Sequence, residues 1–346
     1  MTPQWFSSLV LLFFFTFSGH TPSSALDQSS SSPAPTPTPT LGLEHGYIEF
    51  DTPSFKLRLV KASQTIAALQ PVGEVGFDFT PADRLDRRAA NNYHHLGDII
   101  LRLREQNSGA WRDYSSAAER RPVAALPRTG NVLAAADLTT TLPSDSPLRI
   151  TRSWIIEEGQ LTLRFELTNK GNVPIEIGAL GIPVVFNNMI TGRNLEQAHE
   201  ICSFADPYIG LDAGYLQVTR LSGQGPALVL VPDKQTQFEA YQLLNEPTRP
   251  NQTFEGAFAW MVHTKAFAEN EWKGAQQWNT PTATVLQPGA SKSYGLRFLL
   301  SDQIRNIEST LAKNNRPVAV GIPGYVLPVG IDGQLFLKSE QAVTAT

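Results

Sequence analysis

Cysteine is almost absent here: Cys202 is the only one in 346 residues, so no intramolecular disulfide can form and stability must come from an apolar core. Between Ile201 and Phe204, Cys202 reads as a small buried hydrophobe. No Cys-x-x-Cys or His-x-x-x-His spacing occurs, and the adjacent His94 and His95 would point apart on a strand, so no metal is expected. Gly-x-Ser-x-Gly, a phosphate-cradling glycine loop and a dinucleotide fingerprint are also missing. That removes the commonest hydrolase, kinase and dehydrogenase readings, and no cofactor is expected. There is no basic block, and the formal net charge is −4. Nucleic acid and anionic membranes are therefore poor partners, and a neutral ligand fits better.

The first 25 residues lack Lys, Arg, Asp and Glu. Phe6 to Phe17 is an apolar run broken only by Ser7, Ser8 and Thr16, shorter than the roughly 20 residues of a membrane-spanning helix. With Ser23-Ser24-Ala25 after it, this reads as a secretory signal peptide cleaved after Ala25, although the usual basic residue near Met1 is missing. The expected product is secreted and extracellular, with no membrane association after cleavage. Residues 26–43 are rich in Ser, Thr and Pro and read as an extended linker. Asn251-Gln252-Thr253 is the one permitted N-glycosylation sequon.

What fills the rest is strand signal. Leu161, Leu163, Phe165 and Leu167 alternate with Thr162, Arg164, Glu166 and Thr168, the pattern of a half-buried strand. Asn169-Lys-Gly-Asn172 then signals a turn into Ile175-Glu-Ile, and a hairpin is the natural reading. Similar runs recur at 47–50, 55–60, 99–104, 148–156, 216–221, 227–231, 254–262 and 293–300, parted by Gly, Pro, Asn and Asp. The expectation is an all-β protein, a large β-sandwich over residues 44–316. One helix is expected at 302–314, with Ile304, Ile307 and Leu311 on its buried face, Ser301 or Asp302 as cap and Asn314-Asn-Arg-Pro317 as stop. Residues 317–346, rich in Pro and Gly at first, read as an extended, linker-like tail, and Asp83 to His95 as a long exposed loop.

Two constellations could carry recognition chemistry. In Glu200 to Val218, Asp206 and Asp212 could bond sugar hydroxyls while Tyr208 and Tyr215 present ring faces, on turns between strand-like runs. The same aspartates are equally turn formers, in Asp206-Pro207 and Asp212-Ala-Gly214. The second constellation is Trp260, Trp272 and Trp278, the last two amid Gln276, Gln277 and Asn279. Aromatic faces beside amides suit a pyranose. Trp260, in the strand-like run Phe258-Ala-Trp-Met-Val, is equally a core residue. A glycosidase would need two carboxylates about 5 to 10 Å apart, and Glu255, Glu269, Glu271, Asp206 and Asp212 are available.

Phe77-Asp-Phe-Thr-Pro81, His95-Leu-Gly-Asp98, Leu180-Gly-Ile-Pro183, Ser203 to Gly210, Ala268-Glu-Asn-Glu-Trp272 and Gly321 to Pro328 carry a resemblance. The chain resembles a secreted, mostly fungal family of unknown function whose longer members look like glycoside hydrolases, with an N-terminal β-supersandwich followed by an (α/α)6 barrel. The resemblance implies that this chain corresponds to the supersandwich without the barrel, which leaves its catalytic residues unassigned. Three functions follow as expectations: a noncatalytic domain binding a neutral oligosaccharide or polysaccharide, a small glycan-cleaving hydrolase using loop carboxylates, or a structural cell-wall interaction protein.

Overall fold

Apolar alternation becomes two large antiparallel sheets facing each other. The computed structural model describes residues 40–89, 93–106, 108–245, 256–322, 324, 326–340 and 342. The signal peptide and most of the linker, together with Asn251 and Glu255, lie outside the described residues.

The eight-stranded sheet runs in the order Ser203–Tyr208, Tyr215–Arg220, Ala227–Lys234, Ser291–Ser301, Gln160–Asn169, Leu148–Glu157, Val132–Asp137, Ala124–Ala125. The six-stranded sheet runs Ala240–Leu243, Phe258–His263, Ile175–Val184, Ile100–Glu105, Arg112–Ser115, with Thr284–Leu286 also paired to Ile175–Val184. A three-stranded sheet, Tyr47–Asp51, Phe55–Val60 and Ile66–Pro71, adds a further layer. Every pairing is antiparallel, as in a β-sandwich. One core takes Trp154, Phe165, Tyr294 and Phe298 from the large sheet, Leu101, Ile177 and Trp260 from the six-stranded sheet, and Phe55 and Leu57 from the small one. Leu161, Leu163, Phe165 and Leu167 all point into it, as their alternation requires.

The turn after Asn169 does not close a hairpin. Gln160–Asn169 pairs with Leu148–Glu157 and Ser291–Ser301, while Ile175–Val184 belongs to the other sheet. The side chain of Asn169 steers the crossing: its amide donates to the carbonyls of Val173 and Leu286, and its oxygen accepts from the Gly171 N–H. A short polar link can join two sheets as readily as two neighbouring strands.

Other segments also differ from expectation. The described part of Asp83 to His95 is not an exposed loop: Ala82–Arg84 and Leu85–Arg88 are helical turns, and Arg88 and His95 are buried. Two strands lie within 317–346, where Val318–Ile322 pairs with Gln334–Lys338. The late helix is a 3-10 turn, Ile304–Asn306, running into Ile307–Lys313. Ser301 and Asp302 do not cap its backbone; Ser301 donates to the Gln303 carbonyl and Asp302 accepts from Asn306. Its apolar face does what the spacing predicts: Ile307 and Leu311 cover Ala227, Val229, Val231 and Leu299 on the outer face of the eight-stranded sheet. Leu311→Ala is therefore expected to cost about 2 to 3 kcal/mol, the lower range for a buried leucine because this core is small. Urea denaturation measures it, and a cost under about 0.5 kcal/mol would mean that the helix does not hold to the sheet.

Candidate functional site

Strand Ile100–Glu105 sends Leu101 and Leu103 into the core and leaves Ile100, Arg102 and Arg104 on the opposite face of the six-stranded sheet. The short helix Lys265–Glu269, which follows strand Phe258–His263, lies against that face, with Ala266 buried among Ala179, Ala259 and Met261. Two glycines permit close approach. A Cβ on Gly181 would come within 2.7 Å of both Ile100 and Met261, and one on Gly178 within 2.1 Å of the Trp111 ring. These side chains therefore lie directly on the backbone of Ile175–Val184.

Over this floor opens a cleft of about 450 Å³. Ile100, Ala179, Met261 and Phe267 supply its apolar surface, and Arg102, Asp113, Gln242, Asn245, Ser115 and His94 its polar groups. Arg102 organises one side. Its guanidinium donates to Asp113 at 2.5 Å and to both oxygens of Glu271 at 2.6 Å, and lies 4.2 Å from the centre of the Phe267 ring. Trp272 stacks on that same ring at 4.9 Å. Alongside, Arg104 joins Glu176 at 2.7 Å and Glu269 at 3.0 Å and lies 3.9 Å from the Trp111 ring, whose N–H donates to Glu269. Lys265 completes the network through Glu176 at 2.6 Å.

The charges here are fixed. Hydrogen bonds from Arg102 hold the Glu271 carboxyl below its usual range against a smaller opposing effect of burial. Burial alone would raise Glu176, but Arg104 and Lys265 bring it down. The carboxyls raised above the ordinary value among the described residues are Asp78 and Glu239, both through burial. Neither lines the cleft. Asp78 is bonded to the Leu69 and Thr80 backbone, and Glu239 to Thr264 and Thr282. The cleft thus offers donors and acceptors that ion pairs hold in place. No group of three or more His, Cys, Asp or Glu among the described residues could hold a metal ion.

The residues singled out in the sequence fall in three places. Trp272, half-buried, reaches the cleft through Phe267. Trp260 is fully buried, stacked on Phe238 at 3.8 Å with its N–H given to the Gln237 carbonyl, so it is core and not a ligand contact. Asp212 and the loop carrying Trp278 both fasten to that same segment. Asp212 accepts from the Gln237 amide at 3.1 Å, Asn279 donates to the Glu239 carbonyl at 3.0 Å, and Trp278 itself is 85% exposed. Asp206 and Tyr208 are not on turns but on the edge strand Ser203–Tyr208, where a proline is tolerated. There Asp206 accepts from Gln217, and Tyr208 stacks on Tyr215 at 4.4 Å. Arg102, Asp113 and Gln242 escape the sequence reading. Of these, Arg102 alone has a sequence signal, Ile-Leu-Arg-Leu-Arg-Glu, which places two arginines on the side of a strand away from its leucines.

The fold has solved counterparts. A polysaccharide lyase aligns with a TM-score of 0.62 at 15% identity, over 85% of this chain and 39% of the lyase. The chain thus spans about two fifths of that enzyme's length, and the likeness is one of fold. A galactose mutarotase-like protein from Clostridium acetobutylicum aligns with a TM-score of 0.46 at 7% identity, over 74% of this chain and 95% of that protein. No curated protein gives a significant sequence match. The model of the Family of unknown function (DUF5695) matches residues 58–346, and the chain belongs to that family.

Proposed function

We propose that this chain is a secreted, noncatalytic carbohydrate-binding β-sandwich that holds a neutral oligosaccharide in the cleft on the outer face of its six-stranded sheet. One observation carries the reading: the cleft joins an apolar floor to planar polar groups whose orientation is fixed by ion pairs and ring contacts. A sugar presents an apolar C–H face and rows of hydroxyls that both donate and accept. Met261 and Phe267 suit the first, and Gln242, Asn245 and the Arg102–Asp113 pair the second. Trp272 at the rim and Trp278 on the same loop are the proposed stacking surfaces for a longer chain. The fold shared with a polysaccharide lyase supports a carbohydrate setting. Binding without cleavage follows from the carboxylates, which Arg102, Arg104 and Lys265 hold in ion pairs.

Titration of the secreted protein with a panel of neutral wall oligosaccharides, read by tryptophan fluorescence and calorimetry, tests this. Gln242→Ala is expected to weaken binding about fivefold, the worth of one net hydrogen bond, with an unchanged melting temperature. Trp272→Ala should weaken it more. Release of reducing sugar, abolished by replacing one carboxylate, would instead establish a hydrolase.

A further inference from the structure

Arg152 lies in the interior, 1% exposed, and among the described residues it forms no ion pair. Its guanidinium donates to two neutral carbonyls, Gly97 at 2.6 Å and Ser63, and its Nε–H has no partner. Beside it is Arg120, 7% exposed, which clasps both oxygens of Asp98 at 2.7 and 2.9 Å and also leaves its Nε–H unpartnered. Asp98 is heavily engaged, accepting in addition from the His95 N–H and the Ser116 hydroxyl, each at 2.8 Å. His95 adds no positive charge, because burial and then the nearby Arg120 and Arg88 keep its pKa well below the ordinary value. Burial lowers Arg152 to about 10, so it stays cationic at neutral pH. Asp98 is bonded to Arg120, so Arg152 has no carboxylate of its own and one positive charge is uncompensated among these three groups.

A cavity of about 10 Å³ lies among these groups, lined by Arg152, Arg120, Asp98, Ser116, Ser63 and Thr65. The Ser63 and Thr65 hydroxyls share a hydrogen bond at 2.8 Å, so one of their two protons is free for another acceptor. The surroundings are therefore rich in donors and carry excess positive charge. We propose that this cavity is a structural site for a monatomic anion, a halide such as chloride, held by the unpartnered N–H groups of Arg152 and Arg120. Compensating the charge would offset the penalty that an unpaired buried ion carries. The volume is about that of one water-sized particle, so the halide seats with a small outward shift of its lining, and phosphate or sulfate does not fit.

The test is thermal unfolding of the full purified chain in sodium chloride against sodium gluconate at matched ionic strength. A ligand bound only by the folded state raises the melting temperature with its concentration. The expected rise in chloride is about 3 to 5 °C for a site well saturated in a domain of this size. Bromide should act likewise, and crystals grown in bromide should show an anomalous peak between Arg152 and Arg120. In Arg152→Met the difference between chloride and gluconate should vanish, which separates the site from a general salt effect. Equal melting temperatures in the two salts, a difference that persists in Arg152→Met, or a water without anomalous signal in the cavity would each overturn the proposal. The bromide anomalous signal, read on the wild type, decides the matter even if the variant fails to fold.

Discussion

Acidification from pH 6.5 toward pH 3 is expected to remove about 5 kcal/mol of stability through His263 alone, since each tenfold change in proton affinity between the folded and unfolded chain is worth about 1.4 kcal/mol. His263 bridges the two large sheets, with one ring nitrogen 2.7 Å from the Thr282 hydroxyl and the other 3.0 Å from the Tyr294 hydroxyl. Burial, and then the charge of Lys292, lower its pKa from 6.5 to about 3. In the unfolded chain it takes up a proton near 6.5, whereas in the folded chain it does so only near 3. The stability is therefore fully present above 6.5 and lost as the pH falls between those values. Glu239, on the same network, acts in the opposite sense. Its pKa is raised by burial, so it costs stability as the pH rises above 4.5, and protonation returns that part on acidification. The net loss should hence be shallowest just above pH 4.5, where uptake of a proton by Glu239 offsets part of it. Urea denaturation across pH 4 to 8 measures the slope, and His263→Gln should flatten it. The same slope in wild type and variant would place the acid sensitivity elsewhere.

Asp98→Ala is expected to cost about 3 to 5 kcal/mol, the usual price of stripping a buried ion pair of one partner. The loss is asymmetric. Without the carboxylate, Arg120 and Arg152 would face each other inside the fold, and the His95 N–H and Ser116 hydroxyl would lose their acceptor. Burial alone would raise the Asp98 carboxyl, but Arg120 outweighs it and holds the group below the usual carboxylate range. The double variant Asp98→Ala with Arg120→Met should recover part of the loss, because the cation left behind is then removed. Chemical denaturation of the wild type and these two variants checks this. A cost near zero for Asp98→Ala would mean that water reaches the pair.

The strand framework is readable because period-two alternation is enforced wherever one face of a sheet is buried. Tyr47–Asp51, Phe55–Val60 and Leu148–Glu157 form within a residue or so of the apolar runs that announce them. Strand Arg112–Ser115, which walls the cleft, is not readable: Arg-Asp-Tyr-Ser buries only Tyr114 and has no alternation to display. Sheet membership is equally hidden, since the turn after Asn169 is chemically the same whether the next strand is a neighbour or lies in the facing sheet. The cleft escapes for a related reason. Arg102, Asp113 and Gln242 come from three different strands, and only pairing brings them together. Trp272 can be picked from composition because a loop tryptophan beside amides is unusual. Trp260, in a strand-like run, lies in the core against Phe238, the alternative its neighbours already offered.

The claim that the cleft binds sugar is tested most directly by a crystal structure of the protein soaked with the oligosaccharide that titrates best. Density for a pyranose is expected over Met261 and Phe267, with hydroxyls within hydrogen-bonding distance of Gln242 and the Arg102–Asp113 pair. Density confined to another surface, with the cleft holding only solvent, would contradict it.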